Sequence, residues 1–417
     1  LYLNISNNTF TYTQNENTPE ILLTITDGTN PVTNLTSLTY KTVTDGKGNR
    51  ISGYDITNKK GLIELFSNRE ITTTSTKTEN WNITVTFINY NLDQSKNAGH
   101  TFSGKVLIQK EKIKETIATV CSNGQTLSSC IIAMDGKDDT LYHHTSSLTN
   151  GAGDNSYRYA GASESVNNFV CFGSTTNPCP TDNLYRIIGV IDGKVKLIKY
   201  DYATSALLGT DGDYADSKTP DASYYKGSLS KVDRYYWNYK AANSASNEWS
   251  TSLLNKTNLN TNFINNIGST WANKIATTTW KVGGNAWANI GASVPKTAYQ
   301  NEIISPSENT TYDAKIGLMY ASDYGFAASP SAWTTKLDSY SNSSITSVNW
   351  IYIGGADWIM TPKLSDGVHV FFFTILGSMT YSAAYTGFGT RPVLYLKSSV
   401  LYAGGSGTKD SPITLVV

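Results

Sequence analysis

Three short motifs contain residue types that could perform catalytic or metal chemistry. Ser228 and Lys231 form an S-x-x-K pattern, in which the lysine activates a serine nucleophile, but the companion S-D-N and K-T-G motifs are absent. His143 and His144 are neighbours, and neighbours on an extended chain point to opposite sides, which favours a surface loop over a shared metal ion. The segment 404–407 (GGSG) lacks the lysine and the helix of a phosphate-binding loop, so a turn is predicted there. These residues assemble no catalytic site, and we expect no enzyme activity.

Two groups of aspartates could offer oxygen ligands to Ca²⁺. They are Asp211, Asp213 and Asp216 in one segment, and Asp135, Asp138 and Asp139 in another. Neither group has the sixth-position glycine and the twelfth-position glutamate of an EF-hand loop. Solvated aspartates in turns are therefore the favoured interpretation, and the sequence predicts no metal and no cofactor.

The segment 349–397 contains the strongest signal for binding. Its central strand is apolar on both faces, with His369, Phe371, Phe373 and Ile375 on one face and Val370, Phe372 and Thr374 on the other. Such a strand lies in a core or exposes one face to a ligand, and the alternation leaves both open. Large aromatics stand nearby among small polar residues, namely Tyr352, Trp358, Tyr381, Tyr385 and Phe388. Aromatic anchors in such surroundings are typical of binding loops.

The composition is typical of an exported protein. The 417 residues carry no formal net charge, which argues against nucleic acid as a partner because phosphate binding requires an excess of basic residues. The longest apolar run, 368–376, is too short to cross a bilayer. We expect any membrane anchor, such as a pilin-like helix, to lie upstream of Leu1 in a longer precursor.

The cysteines form two close pairs in the sequence, Cys121 with Cys130 and Cys171 with Cys179. A zinc site would need two-residue spacings and nearby histidines, and the chain has only four histidines. Two local disulfides in an oxidising compartment are the better interpretation, although spacing alone leaves three connectivities open.

The elements that position these residues fall into three predicted parts. Residues 1–111 contain several short strands with alternating apolar residues, as at 81–87, and predict an immunoglobulin-like β-sandwich. Residues 112–182 are rich in glycine, asparagine and serine and contain both cysteine pairs, so a disulfide-tied connecting segment is expected.

The third part, 183–417, begins with a predicted hairpin over 184–200 around Asp192-Gly193. A helix is predicted over 249–267 from apolar residues at three-to-four spacing, and the remainder returns to short strands. The predicted fold class is mainly β, with an α+β head.

Five segments of this third part carry a family resemblance. They are LYRIIGVIDGKVKLIKY (184–200), NEWSTSLLN (247–255), KIGLMYASDYGFAA (315–328), NWIYIGGADWIMTP (349–362) and GTRPVLYLKSSV (389–400). With them the chain resembles the C-type-lectin-fold domains of the formylglycine-generating-enzyme type found in bacterial surface proteins. No cysteine follows Cys179, and the E-P-N, Q-P-D and W-N-D triplets of calcium-dependent lectins are absent, so neither that catalysis nor calcium-dependent sugar binding is expected.

The stretch from Trp350 to Pro392 is also similar to the diversified region of variable proteins made by diversity-generating retroelements, in which ligand-contacting positions alternate with scaffold residues. The resemblance implies a scaffold of Trp350, Trp358, Phe371, Phe373, Gly377, Arg391 and Pro392. It implies a ligand-binding face of Ile351, Ile353, Asp357, Ile359, Asp366, His369, Phe372, Thr374, Tyr381, Tyr385 and Phe388. The hydrophobic alternation also places Phe371, Phe373 and Ile375 inward.

These observations predict an extracellular, adhesin-like protein of the cell surface, with an immunoglobulin-like stalk and a C-type-lectin-fold head. The aromatic face of the head is expected to bind a protein or glycan ligand. The alternative is a structural subunit of a pilus or surface filament, because exposed apolar strand surface and zero net charge both favour self-association.

Overall fold

The structure is a computed structural model, and it describes residues 1–35, 37–66, 78–108, 115–210, 224–241, 244–364 and 366–417. The chain divides into two compact units, 1–114 and 115–417. Both consist mainly of short antiparallel strands, which confirms the prediction of a mainly β protein. Within the described ranges, no helix is long and apolar enough to cross a membrane. The aspartates Asp211, Asp213 and Asp216 lie outside these ranges.

The described strands of the first unit form two antiparallel sheets. They are β1 (Tyr2–Asn8), β2 (Ile21–Asp27), β3 (Asn30–Pro31), β4 (Tyr40–Thr44), β5 (Arg50–Asp55), β6 (Gly61–Glu64), β7 (Trp81–Phe87) and β8 (Phe102–Leu107). One sheet has the order β6-β1-β8, and the other has β3-β2-β5-β4 with β7 paired to β2. Leu3 and Ile5 from one sheet and Leu23 and Tyr54 from the other meet in a single core.

The first unit differs from the sequence prediction at β7. The strand is present, but its apolar face is incompletely covered, because Val85 is 36% exposed and Phe87 47% exposed. The topology of an immunoglobulin domain remains a prediction for this unit.

The second unit contains short helices among many short strands. Its strands are β9 (Leu141–His143), β10 (Tyr157–Tyr159), β11 (Phe169–Cys171), β12 (Leu184–Ile191), β13 (Lys194–Lys199), β14 (Tyr225–Leu229), β15 (Val232–Tyr236), β16 (Tyr239–Ala241), β17 (Ser244–Ala245), β18 (Thr278–Lys281), β19 (Thr311–Ala314), β20 (Ile316–Gly317), β21 (Asp357–Pro362), β22 (His369–Phe373), β23 (Met379–Ala383), β24 (Gly387–Phe388), β25 (Val393–Tyr395), β26 (Tyr402–Gly404) and β27 (Thr414–Leu415). Its α-helices are α1 (Ile117–Val120), α2 (Leu127–Ile132), α3 (Ser205–Leu208), α4 (Phe263–Asn266), α5 (Ser269–Ala272), α6 (Pro295–Tyr299), α7 (Ala321–Ala327) and α8 (Ser343–Thr346).

The described residues also contain single turns of 3₁₀-helix. They occupy Ser95–Asn97 in the first unit and Thr181–Asn183, Trp249–Thr251, Trp287–Asn289, Pro330–Ala332 and Leu337–Ser339 in the second. The helix predicted over 249–267 is present in an irregular form: this 3₁₀ turn is followed by a π-helix, Leu254–Asn262, and by α4. A second π-helix spans Gln300–Ile304.

A seven-stranded sheet organises the second unit. Its strands follow the order β20-β25-β13-β12-β10-β9, and β11 pairs with β12. The predicted hairpin over 184–200 forms β12 and β13, and Asp192 and Gly193 take the positive φ values (49° and 72°) that its two-residue turn requires.

The segment expected to connect two domains belongs to the second unit from Glu115 onward. Its strands β9, β10 and β11 join the seven-stranded sheet, because apolar residues such as Tyr159 and Val170 are buried against it. The two local disulfides are confirmed, since Cys121 is bonded to Cys130 and Cys171 to Cys179. They close short loops within the unit and suit an oxidising compartment.

Candidate functional site

The predicted binding segment forms a three-stranded antiparallel sheet, with β22 in the centre between β21 and β23. In the register of β22 with β23, His369 faces Ala383 and Phe371 faces Tyr381. Because side chains alternate along a strand, His369, Phe371 and Tyr381 share one face of this sheet. Phe372 points to the opposite face.

The first face is buried at one end and accessible at the other. Phe373 is buried and stacks on Tyr324, with ring centroids 3.6 Å apart. Phe371 is also buried and lies near Trp287, at 6.1 Å. Near His369 no such aromatic ring among the described residues buries the face, and Tyr381 on the neighbouring strand β23 is 40% exposed.

The second face is covered by aromatic side chains of the same unit. Phe372 is only 9% exposed; its ring stacks on that of Phe388, 4.2 Å away, and contacts that of Trp358. The strand apolar on both faces is therefore a central core strand. The prediction that Phe372 presents its side chain to a ligand is wrong, because Trp358 and Phe388 occupy the space on that side.

Three further predicted contact residues are buried. Ile351 and Ile359 are fully inaccessible and belong to the main core. Asp357 is paired with Arg391, whose Nη2 lies 2.5 Å from Asp357 Oδ2. Burial raises the pKa of Asp357 against the opposing effect of Arg391. This pair fixes β21 next to the segment that leads into β25, so all three predicted contacts are corrected to core positions.

The remaining predicted residues are accessible but dispersed. Ile353 is half-buried in the loop before β21, Tyr385 is half-buried in the turn after β23, and Phe388 is half-buried against Phe372. Thr374 begins the turn after β22, where its Oγ1 lies 3.0 Å from the hydroxyl of Ser378. The structure brings together Asp366, His369 and Tyr381.

The turn between β22 and β23 corrects another expectation. Ile375, predicted to point inward, is 61% exposed, and the neighbouring Leu376 is 63% exposed. The strand ends at Phe373, and Gly377 closes the turn with a φ of 89° and an amide that donates to Thr374 O at 2.8 Å. Alternation cannot continue past the point where the strand ends.

A partly exposed cluster of charged and aromatic side chains forms the candidate site. We call it the 363–381 patch and define it as Trp287, Lys363, Asp366, His369 and Tyr381. Asp366 Oδ2 accepts from Lys363 Nζ at 2.6 Å and lies 2.9 Å from His369 Nδ1. Lys363 Nζ lies 4.7 Å from the centre of the Tyr381 ring, within range of a cation–π contact. The rings of His369 and Trp287 meet that of Tyr381 edge to face, at 5.4 and 5.8 Å.

Asp366 carries the negative charge at the centre of the patch. Burial acts to raise the pKa of Asp366, but the hydrogen bonds from Lys363 and from the amides of His369 and Val368 outweigh it and lower the pKa. The carboxylate therefore stays ionised at neutral pH and orients the two side chains bonded to it. The result is a preorganised surface with a donor, an acceptor and an aromatic ring, which suits noncovalent recognition.

A polar cavity of about 420 Å³ adjoins the patch and shares Lys363 with it. Glu248 and Glu308 stand at its rim, and Val282 and Pro362 contribute apolar surface. Asn247 in the cavity wall is hydrogen-bonded to the backbone of the patch, because its Nδ2 donates to Lys363 O at 2.8 Å and to His369 O at 3.2 Å. The recess beside the patch is thus lined with hydrogen-bonding groups.

The sequence indicated only part of this patch. Asp366, His369 and Tyr381 were identified, but Lys363 was not, although it lies three residues before Asp366. Trp287 lies far away in the sequence and carries no local signal. Its ring is positioned by close contact with Gly291, where a Cβ atom would overlap it.

The motifs considered for catalysis lie on a strand and in loops of the described residues. Ser228 is exposed on β14, and Lys231 lies in the turn to β15 with a φ of 67°. Gly404 ends β26, and residues 405–407 continue as an irregular loop towards β27. No group of three or more histidine, cysteine, aspartate or glutamate side chains in the described ranges could hold a metal ion.

The surface-loop prediction is wrong for His144. His144 is fully buried, its Nδ1 accepts from the Ala152 amide at 2.9 Å, and its ring packs against Phe326 and Trp333. Burial, together with the charge of Arg158, lowers its pKa to about 3. His143 is half-exposed and stacks on Tyr157.

No protein-family model, curated protein or solved structure matches the chain.

Proposed function

We propose that this chain is an extracellular binding protein of the cell surface, and that its second unit recognises a protein or glycan ligand through the 363–381 patch. The observation that carries the proposal is the preorganised Lys363–Asp366–His369 network beside the exposed ring of Tyr381. Charged side chains held in fixed positions around an accessible aromatic ring lose little conformational entropy when a ligand binds.

Further features support an extracellular binding function. Two disulfides suit an oxidising compartment. Among the described residues, no serine, threonine or cysteine side chain is hydrogen-bonded to His369, so the Asp366–His369 pair has no bonded nucleophile to activate. The sequence resemblance to variable binding proteins points to the same segment of the chain. The C-type-lectin fold of the second unit remains part of this proposal.

The test is a ligand screen followed by matched substitutions. The purified chain is screened against a displayed peptide library and a glycan array, and hits are measured again with Tyr381→Ala and Asp366→Asn. Both changes are expected to weaken binding by at least about tenfold, since central aromatic and charged anchors dominate interface energies. Tyr40→Ala, which removes a tyrosine of similar exposure (36%) from the first unit, should leave binding unchanged. Ligands that bind Tyr381→Ala and Asp366→Asn as tightly as the unmodified chain would contradict the proposal.

A further inference from the structure

One edge of the five-stranded sheet of the first unit is open to a further strand. Residues 81–87 of β7 pair with residues 21–27 of β2 in a continuous register without a bulge. Among the described residues, β7 pairs with no other strand, so its outer side presents a regular row of backbone groups. Such an edge is a template for a strand of another chain.

The other edge strands of the first unit carry residues that discourage such pairing. Lys41 lies on β4, Glu64 on β6 and Lys105 on β8, and the short β3 ends with Pro31. Charges and proline on an edge strand hinder the approach of a second strand. The sequence of β7, WNITVTF, contains no charge and no proline, and its β-branched residues favour the strand conformation. Of the edges that the structure describes in this unit, that of β7 is therefore the least protected against pairing.

The backbone of β7 offers hydrogen bonds on its outer side. The amide of Ile88, directly after β7, donates to Glu20 O at 2.9 Å. Because hydrogen-bonded and non-bonded pairs alternate in an antiparallel ladder, the even-numbered residues of β7 are the ones bonded to β2. The amide and carbonyl groups of Ile83 and Val85 therefore point away from β2, towards the open edge.

Apolar side chains are exposed at the same edge. Val85 lies opposite Leu23, and Phe87 lies opposite Ile21, which places both on the inner face of the sheet beside buried core residues. Even so, Val85 is 36% exposed and Phe87 is 47% exposed. The inner face thus extends to β7 without complete cover, and a strand added at this edge would bury more of both side chains.

The sequence of β7 is self-complementary when two copies run antiparallel. With a two-fold axis at Thr84, this residue faces its own counterpart, and Ile83 faces Val85. One step further out, Asn82 faces Thr86. Apolar residues thus meet apolar residues and polar residues meet polar ones, as stable cross-strand pairs require. The same register sets the outward backbone groups of Ile83 opposite those of Val85, so the two strands can exchange hydrogen bonds.

We propose that two copies of this chain form a dimer by pairing their β7 strands antiparallel, with the two-fold axis at Thr84. The pairing joins two five-stranded sheets into one continuous sheet. Both copies use the same surface, so association stops at two chains and builds no filament. The dimer concerns the first unit and does not depend on the function proposed for the 363–381 patch.

Analytical ultracentrifugation of the full chain tests the dimer. Raising the concentration from about 1 to about 100 μM should convert a species of 45.5 kDa into one of twice that mass. A monomer at every concentration overturns the proposal and favours an extended segment of a different protein as the partner of this edge. A continuous series of larger oligomers also overturns it, because a two-fold interface closes at two chains.

A substitution at the axis locates the interface. Thr84 is exposed, and Thr84→Lys places two ammonium groups opposite each other in the dimer. We expect the dissociation constant of the dimer to rise at least about tenfold, because like charges repel across an interface. Thr42→Lys, at an exposed threonine of β4 on the opposite edge of the sheet, should leave the dissociation constant unchanged. A dimer unaffected by Thr84→Lys overturns the assignment to β7.

A mixture of two charged variants separates pairing at the axis from a loss of folding. Thr84→Glu alone should dissociate like Thr84→Lys. An equimolar mixture of the two variants should form dimers that contain one chain of each, because opposite charges then face each other. Failure of the mixture to dimerise, when each variant keeps the circular dichroism spectrum of the unmodified chain, overturns the two-fold register.

Discussion

Two carboxylates nine residues apart in the sequence play different parts in the structure. Asp357 and Arg391 form an ion pair in the core, where each is almost inaccessible to water. Asp366 bonds Lys363 and His369 at the surface, where the three side chains keep about a fifth to a third of their area exposed. The residue types are similar, but only the second set can meet a ligand. Asp357 and Asp366 therefore differ in burial rather than in chemical type, and this difference separates a core position from a candidate binding position.

The aromatic residues repeat this contrast on neighbouring strands. Phe372 on β22 stacks on Phe388 and meets Trp358 edge to face, whereas Tyr381 on β23 keeps 40% of its surface exposed. A substitution at Phe372 should therefore damage folding, and one at Tyr381 should damage binding. The predictions that follow test this division, ordered by their expected effect on the free energy of unfolding.

The largest effect is expected from breaking the buried pair. Arg391→Met leaves Asp357 without its cation in the core, which should cost about 3–5 kcal/mol of unfolding free energy. Urea unfolding measures this cost. Lys363→Met is the matched control at the surface and should cost less than about 1 kcal/mol. Similar costs for the two variants would remove the distinction between scaffold and site.

Truncation of the buried aromatic ring should come next. Phe372→Ala deletes a buried ring that stacks on Phe388 and meets Trp358 edge to face, and should cost about 3 kcal/mol, also by urea unfolding. A cost below about 1 kcal/mol would show that this face of β22 is open, and would restore Phe372 as a ligand contact.

Acid should destabilise the second unit through His144. Its pKa is lowered in the folded protein to about 3, from an ordinary 6.5, so folding favours the neutral ring. The stabilisation is complete above pH 6.5 and is lost as the pH falls from there towards 3. At pH 5 the loss should be about 2 kcal/mol.

The contribution of His144 can be separated from that of other groups by substitution. His144→Gln keeps an acceptor for the Ala152 amide and should flatten the decline in unfolding free energy between pH 6.5 and 5. His143→Gln, which alters the half-exposed neighbour, should leave that decline unchanged. An identical pH dependence in the unmodified chain and in His144→Gln would show that His144 is accessible to protons in the folded state.

The smallest stability effect is expected at the patch itself. Tyr381→Ala and Asp366→Asn should each change the unfolding free energy by less than about 1 kcal/mol, because neither side chain is in the core. A loss of several kcal/mol in thermal or urea unfolding would mean that the patch stabilises the fold, and would weaken its assignment as a binding surface.

The sequence predicted local features, such as a hairpin, better than the tertiary contacts around them. The β12–β13 hairpin follows from two apolar runs around Asp192-Gly193, and the two local disulfides agree with the close cysteine pairs, although spacing alone left three connectivities open. Alternation correctly placed Phe371 and Phe373 inward. Local pattern could not show that Trp358 and Phe388 cover the second face of β22, because that depends on contacts between distant segments.

The same limit applies to the charged residues. No local sequence pattern distinguishes Asp357 from Asp366. Only the tertiary pairing of Asp357 with Arg391 shows that Asp357 is a core residue. Trp287 enters the patch from a segment far from its other members. When the residues of a site come from distant segments, their spacing in the sequence does not reveal the site.

The most direct test of the central claim is deep sequencing of the 3′ end of this gene across a natural population of its host. If the 363–381 patch is the ligand-binding surface of a diversified head, substitutions should concentrate at exposed positions such as Asp366, His369 and Tyr381. The buried positions Asp357 and Phe372 should stay constant in the same reads. Equal variation at buried and exposed positions would contradict this account, and a uniformly low substitution rate across the segment would remove the diversification and favour a filament subunit or an adhesin of fixed specificity.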